Sequence, residues 1–523
     1  MKWDRAKLAG SGLAALMVYA AIRSIFRAAS RPFWFDELCT VAIARQPSIS
    51  AIWKAEQNAA DSHPPTFYFV ERLADRLIPN QHIAFRMPSI LAFCCLLLCV
   101  FVFVRRRSGG VYGLFCSALI LMSIFFDPHA VDARGYALMS ACLGFALVCY
   151  QRADKAGWMM LLGLSLAAAG AFHYYAVCTL FCFALGEVAF TLQNRRLRIG
   201  VWAALACGML PLVAFWPLLA ALRTYYGAHF WAQPTWSAML SVLGWFLKLG
   251  TLWGIAITAA AFLGLAASMV AGYFSNDSGP RETDPLFHEK ALVLGLLVLP
   301  VAIFLAMKLT HGGFIDRYVL PAGLGIPLAA GFILPRFNRN LLALLAIGLC
   351  FGLAAQEGMF WMHQFSHLGK VISPATAVER LVNGTGRQDL PVVVSDSLDY
   401  LPLAFYASPG FAARLVEVVD PAKEIVYSST DSVDKQLQVL RLYAPLHVYE
   451  FRDFSATHPE FLLYSGAGEW DWWPARLVDD GYTLRLIAIQ DTRRVYLVGP
   501  KEQASQGAAE RVPPAANQTG ERR

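Results

Sequence analysis

The chain has 523 residues, of which 57% are hydrophobic and only 15% charged, and its mean hydropathy is +0.46. An ordinary soluble domain carries about 25% charged residues. The composition therefore excludes a disordered chain, a charge-driven nucleic-acid binder and most soluble enzymes, and it indicates a polytopic membrane protein. The net charge of +7 fits basic cytoplasmic loops better than an acidic partner.

A membrane span needs about 20 apolar residues. Eleven stretches approach this, near 8–26, 87–104, 111–126, 137–151, 158–173, 175–192, 199–221, 251–273, 291–308, 318–335 and 341–360. The first follows Lys2, Arg5 and Lys7, as a signal peptide would. Arg23, Arg27 and Arg31 stand after it in place of a cleavage site, which favours a retained anchor. Of the 11 cysteines, all but Cys39 lie in apolar runs. Cys178 and Cys182 are one helical turn apart and read as two buried small apolar residues. Neither zinc-ligand spacing nor a disulfide framework is indicated.

Basic clusters set the orientation. Arg105 to Arg107, Arg152 with Lys155, Arg195, Arg196 and Arg198, and Arg336 with Arg339 all fall on the N-terminal side of the predicted spans. That side is expected to be cytoplasmic, and an odd span count puts the C-terminal region outside. The outer face then carries a long first loop, 27–86, with amphipathic pieces at 49–60 and 67–78 expected to lie along the interface. It also carries a loop at 127–136 and another at 223–236. The last holds Tyr225, Tyr226, His229, Phe230, Trp231 and Trp236, which equally suit an aromatic belt.

The expected organisation is a membrane module over 1–360, an extracytoplasmic α/β domain over 361–500 and a disordered tail over 501–523. Predicted strands lie at 391–395, 446–451, 461–465, 482–489 and 494–498, and predicted helices at 434–443 and 472–480. No internal repeat, Walker lysine loop or dinucleotide glycine fingerprint occurs.

Six sites at the outer ends of the predicted spans carry charge or aromatic platforms at one depth. They are Trp34-Phe35-Asp36-Glu37, Asp61-Ser62-His63-Pro64-Pro65-Thr66-Phe67-Tyr68, Arg86-Met87-Pro88-Ser89, Asp132-Ala133-Arg134-Gly135-Tyr136, His173-Tyr174-Tyr175 and Asp316-Arg317-Tyr318. Singly, each is more often a snorkelling or capping group than a catalyst. Together they supply acids, a base and several arginines where a charge is costly unless used or paired.

The Phe35-Asp36-Glu37 stretch, the Asp-x-His-Pro-Pro stretch with following aromatics, the Arg-x-Pro-Ser span start and the acid-x-Arg-x-Tyr loop resemble, in order, the GT-C type of lipid-dependent glycosyltransferase. That branch includes protein O-mannosyltransferases, the aminoarabinose transferase of lipid A and lipopolysaccharide core transferases. The resemblance covers about residues 1–335 and does not extend to the C-terminal domain. Asp132 departs from the Glu or Gln usual there, and Gly135 stands where a larger residue is common. The resemblance implies a GT-C-like fold in a bacterial inner membrane, with the site facing the periplasm. It implies a polyprenyl-phosphate sugar donor and, as acceptor, lipid A, core oligosaccharide, another glycan or a protein. Asp36 is then the expected general base, and inversion at the anomeric carbon follows from a single base without a nucleophile. Arg134 and Arg317, with Arg86 as a further candidate, are expected at the lipid phosphate. Glu37, His63, Asp132, Tyr136, His173, Tyr174 and Tyr318 complete the expected substrate site. His63 equally suits a stiff turn before two prolines. No cofactor is certain. A divalent cation is open, with Asp36, Glu37, His63 and His173 as ligand types that could gather round one.

Two other classes compete. A transporter or flippase of lipid-linked sugars predicts charges at mid-membrane, where only Glu187, Lys248 and Lys308 qualify. A non-catalytic scaffold binding envelope partners would not need Asp36, Arg134 and Arg317 together.

Overall fold

Long apolar runs force helices, because a backbone in lipid must satisfy its own hydrogen bonds. The computed structural model of the chain describes residues 2–501 apart from 124, 245–250, 275–284, 367–370, 372 and 469. Lys248 and the tail expected to be disordered lie outside the described residues. All eleven predicted stretches are helical, but not equally long. Among the described residues, seven helices are long and apolar enough to cross a membrane: Lys7–Ser30, Gln81–Ser108, Tyr174–Asn194, Leu252–Ala271, Phe287–Thr310, Asp316–Arg336 and Asn340–Met362. The pair Ile199–Ala214 and Trp216–Tyr226, bent by 55°, passes the same length and composition test only when taken together. Pro211 lies near the end of the first piece and Pro217 at the start of the second, where a missing N–H breaks the ladder. The helices Gly110–Met122, Tyr136–Tyr150 and Ala156–Phe172 are shorter than a span. They are short because the chain leaves the helical path at their ends to build loops at one end of the bundle.

Buried ion pairs staple the bundle. Arg107 holds Glu289 at 2.8 Å, Arg198 holds Glu187, and Arg23 bridges Asp127 and Glu357, the last at 2.7 Å. Glu187, one of the few mid-span charges, is thus a structural partner of Arg198. Exposed apolar residues such as Leu252, Trp253, Leu344 and Phe351 on peripheral helices are where acyl chains would lie.

The first outer loop folds into the short helices Phe35–Ala44, Ile49–Gln57 and Pro65–Leu77. Its anchor is Arg86. The guanidinium donates Nε–H and Nη2–H to the Glu37 carboxylate at 2.8 and 2.6 Å. It also donates to the backbone carbonyls of Ala28, Arg31 and Pro32 at 2.7–3.0 Å. Glu37 in turn accepts from the backbone N–H groups of Ala133 and Trp34. Three separate stretches of chain, 28–37, Arg86 and Ala133, are tied at this one pair.

The C-terminal domain has a six-stranded sheet in the order β3-β2-β1-β4-β6-β5. The strands are β1 Val392–Val394, β2 Leu415–Val419, β3 Val448–Glu450, β4 Phe461–Ser465, β5 Tyr482–Gln490 and β6 Arg493–Lys501. β1 to β4 run parallel, and β6 returns antiparallel against β4 and β5. The strand order reverses at β1, between β2 and β4. Sequence patterning misses β2, because Glu417 interrupts its apolar run. The structure buries Glu417 and lets it accept a bond from the Ser397 hydroxyl at 2.7 Å.

Candidate active site

The loop ends converge on a cavity of about 740 Å³ between the bundle and the C-terminal domain. Its lining includes Asp36, Arg134, Tyr136, His173, Tyr174, Arg317 and Tyr318, seven of the residues expected from sequence. Asp61, Arg223, Trp34 and Trp231 also line it.

Asp36 sits in the first turn of the Phe35–Ala44 helix. Its neighbour Glu37 points into the framework, so the two adjacent acids face different ways, as positions about 100° apart around a helix do. Asp36 is 18% exposed and Glu37 is 0% exposed. The Asp36 Oδ2 meets Arg317 Nη1 at 3.3 Å. The Arg317 guanidinium is held over the rings of Trp34 and Trp231, 5.5 Å from each centroid. Such stacking fixes its plane without consuming its donors. Tyr318 stacks on Tyr175 at 4.4 Å, and the Tyr175 hydroxyl donates to the Gly313 carbonyl at 2.6 Å.

Arg134 reaches the cavity from the loop before the Tyr136–Tyr150 helix. It makes a fork with both oxygens of Asp61 and donates to the Asp36 carbonyl and to Thr40 Oγ1, each at 3.2 Å. Burial opposes its charge, but the Asp61 and Asp36 carboxylates outweigh that and hold its pKa above the ordinary value. The Nε–H groups of Arg134 and Arg317 are both buried without an acceptor among the described residues. Each such orphan costs about 1–3 kcal/mol, a cost carried by the two guanidiniums that line the cavity.

His173 and His63 form an aromatic wall behind these arginines. Their ring centroids are 5.3 Å apart, and Tyr136 lies 5.6 Å from His63 and 5.0 Å from His173. Burial and the nearby arginine charges push the His173 pKa down to about 3 and depress that of His63 strongly. His173 Nδ1 accepts the Tyr175 N–H at 3.3 Å, which requires the neutral ring. The unfolded chain therefore takes up a proton on this ring near pH 6.5 that the folded chain refuses until about 3. The ring thus contributes a stability that rises with pH between those values. His173→Asn keeps a capping acceptor and removes the titration. Melting of the purified variant is expected to lose less between pH 7.5 and 5.5 than the wild type does.

Four expected site residues lie off the cavity. Glu37 and Arg86 are sealed in their own pair, with neither side chain exposed to the cavity. Asp132 is buried between Arg31 at 3.0 Å and His129 at 2.9 Å. His63 stands behind His173 and Tyr136. The cation ligand set is not assembled either. Among the described residues no group of three or more His, Cys, Asp or Glu side chains stands in metal-binding proximity. Glu37 is bound to Arg86, while the two imidazoles pack edge to face.

Gly135 has a steric reason. Its φ of −66° is ordinary, but an added Cβ would lie 2.4 Å from the Phe172 carbonyl oxygen and 3.1 Å from the His63 ring. Gly135→Ala must therefore push the Arg134 loop off the Ala156–Phe172 helix end. The expected result is a loss of about 1–3 kcal/mol, read as a lower melting temperature.

Comparison with solved structures places the whole arrangement. ArnT from Cupriavidus metallidurans in the apo state superposes with a TM-score of 0.56 at 15% identity, covering 94% of this chain and 98% of that one. The chain has an ArnT-like, GT-C fold. The ArnT structure bound to undecaprenyl phosphate matches with a TM-score of 0.52, 15% identity and coverage of 95% and 100%. A weaker similarity, with a TM-score of 0.45 at 12% identity, joins the Archaeoglobus fulgidus oligosaccharyltransferase, with coverage of 86% and 67%. No family model and no curated protein matches the sequence. The ArnT-like superposition extends over the C-terminal domain as well as the bundle, so it is wider than the 1–335 region where motifs were visible.

Asp61 and Arg223 escaped sequence reasoning for different reasons. Asp61 lies within a recognised motif, but its partner Arg134 is 73 residues away. Arg223 sits in the last turn of the bent Trp216–Tyr226 helix, where a basic residue reads as an end cap.

Proposed function

We propose that the chain is an integral-membrane glycosyltransferase that moves a sugar from a polyprenyl-phosphate donor to an envelope lipid, glycan or protein acceptor. The observation carrying this reading is one carboxylate, Asp36, accessible in a cavity that the Arg134 and Arg317 guanidiniums also line. An ArnT structure of the same fold that binds undecaprenyl phosphate supports the choice of donor.

The chemistry follows from these groups. The acceptor hydroxyl gives its proton to the Asp36 carboxylate as its oxygen attacks the anomeric carbon. The bond from that carbon to the phosphate oxygen breaks, and its electron pair leaves with the polyprenyl phosphate. The departing phosphate is a weak base, so fixed positive charge serves it better than an acid. Asp36 and Asp61 nominally balance Arg317 and Arg134. Among the described cavity arginines, Arg223 lacks a carboxylate partner, and it supplies the additional charge for the phosphate. It stands on the bent helix whose Trp216, Leu219 and Leu222 also line the cavity, a path for a prenyl chain. We place the site at the periplasmic face of a bacterial inner membrane, opposite the basic loops.

Arg223→Ala is expected to raise the donor KM about tenfold while leaving kcat within a few-fold, because a phosphate contact present before and during reaction is uniform binding. The function itself is tested by offering labelled polyprenyl-phosphate sugars to membranes containing the chain. Transfer to endogenous envelope acceptors is the expected result. With every donor inert and acceptors present, the lipid-linked sugar flippase reading would take its place.

A further inference from the structure

The C-terminal domain does more than cover the cavity. In an open α/β sheet, ligands bind beyond the carboxyl ends of the strands where the strand order reverses. Here that point lies between β1 and β4. Leu398, just after β1, and Trp470, just after β4, both line the cavity, together with Ser432, Val433 and Gln436 of the Ser432–Leu440 helix. The switch-point crevice thus opens onto Asp36 rather than onto solvent.

The crevice is fixed against the bundle. Thr430 Oγ1 donates to the His229 carbonyl at 2.6 Å, and the Trp231 N–H donates to Ser432 Oγ at 3.2 Å. Lys435 Nζ donates to the Tyr225 carbonyl at 2.9 Å, and the Tyr225 hydroxyl returns a bond to the Lys435 carbonyl at 3.0 Å. Trp470 meets Trp231 edge to face with centroids 6.4 Å apart. Trp231 in turn covers Arg317, the partner of Asp36. An unbroken line of side chains therefore runs from the proposed base to the switch point.

The lining chemistry selects a ligand class. Two indoles at a right angle offer π faces to the C–H faces of a ring. The Gln436 amide, whose Nε2 reaches the Cys39 sulfur at 3.5 Å, offers a donor and an acceptor to hydroxyls. Immediately behind Leu398 and Trp470 lie three acids. Asp396 caps the Leu398 N–H at 3.0 Å and accepts the Trp470 N–H at 3.4 Å. Asp471 bridges to Asp396, and Asp399 has its carboxyl pushed up to about 6 by burial and by these two neighbours. The 466–468 loop is pressed onto them, since a Cβ on Gly466 or Gly468 would strike Asp399 or Asp396. Arg493 offsets part of this charge, and the wall behind Leu398 and Trp470 stays net acidic, which disfavours anions there.

We propose that this crevice is the acceptor subsite, and that it seats a saccharide ring free of phosphate and carboxylate groups in the corner made by Trp231 and Trp470. The proposal rests on the transferase reading for the word acceptor, but glycan binding itself can be measured without turnover. The purified full-length chain is applied to a printed array of neutral, amino-bearing and phosphate- or carboxylate-bearing oligosaccharides. Binding to neutral or amino glycans is expected, with anionic ones rejected. Trp470→Ala should lose about tenfold in signal, as a buried aromatic anchor does, while Trp470→Phe keeps most of it. Gln436→Ala, a cavity-side change with little packing role, should weaken binding without altering the melting temperature. Preference for anionic glycans, no glycan binding by the wild type, or unchanged binding by both Trp470→Ala and Gln436→Ala would overturn the subsite. If the array result holds while every labelled donor stays inert, the transferase reading falls and the glycan site stands.

Discussion

Asp36→Asn is expected to lower sugar transfer by a factor of about 10²–10⁴, the range for removing a general base. Asparagine keeps the size of the side chain and can still meet Arg317, now through its amide oxygen. It cannot accept the acceptor's proton. Because Asp36 is partly exposed and is held by one ion pair at 3.3 Å, the change should leave folding nearly intact. The check is the transfer rate at matched amounts of folded protein, with donor KM as the second readout. A large fall in rate with little change in donor KM marks a group acting on the reacting hydroxyl. A mutant as fast as the wild type removes Asp36 from the chemistry, and Asp61, the other cavity acid, becomes the next candidate.

The second large effect concerns stability. Arg86→Ala strands the Glu37 carboxylate in a site with no exposure and also leaves three backbone carbonyls without their donor. Breaking a buried pair costs about 3–5 kcal/mol, a large part of the net stability of a typical domain. Arg86→Ala is therefore expected to abolish accumulation of folded protein. Arg86→Lys should rescue little, since one ammonium has three donors and no planar fork for five bonds. Glu37→Gln should be milder, because the amide oxygen still accepts from Arg86. Detergent-solubilised melting and size-exclusion behaviour separate these outcomes from a catalytic loss. An Arg86→Ala protein that folds normally but fails to turn over would return Arg86 to the substrate.

The contrast between these two predictions marks where the sequence was informative. Asp36 and Glu37 are adjacent and chemically alike, and one reading put both at the substrate. The helix phase that sends one to the cavity and the other to Arg86 depends on where the Phe35–Ala44 helix starts, and Trp34 offers no ordinary capping signal. Apolar runs identified the helical bundle well, since length and composition are what a bilayer demands. They could not distinguish full spans from the three short helices beside the site. Two of those, Gly110–Met122 and Tyr136–Tyr150, flank the loop that carries Arg134. In the C-terminal domain the predicted strands at 461–465 and 482–489 correspond to β4 and β5, while β2 was hidden by Glu417. Its role emerges only from the fold, as does the placement of Trp470 opposite Trp231. Pairs such as Asp61 with Arg134 come from parts of the chain whose proximity no local pattern encodes.

With Asp36 as the base, Asp61 forked to Arg134 and arginines at the leaving group, the proposed chemistry is direct displacement. The anomeric configuration of the transferred sugar tests that most directly. Product formed by wild-type membranes from a donor of known anomer would be isolated and its configuration read by NMR coupling constants. The account predicts the opposite anomer from the donor. A product that retains the donor's configuration would contradict Asp36 as sole base and would demand a covalent glycosyl intermediate instead.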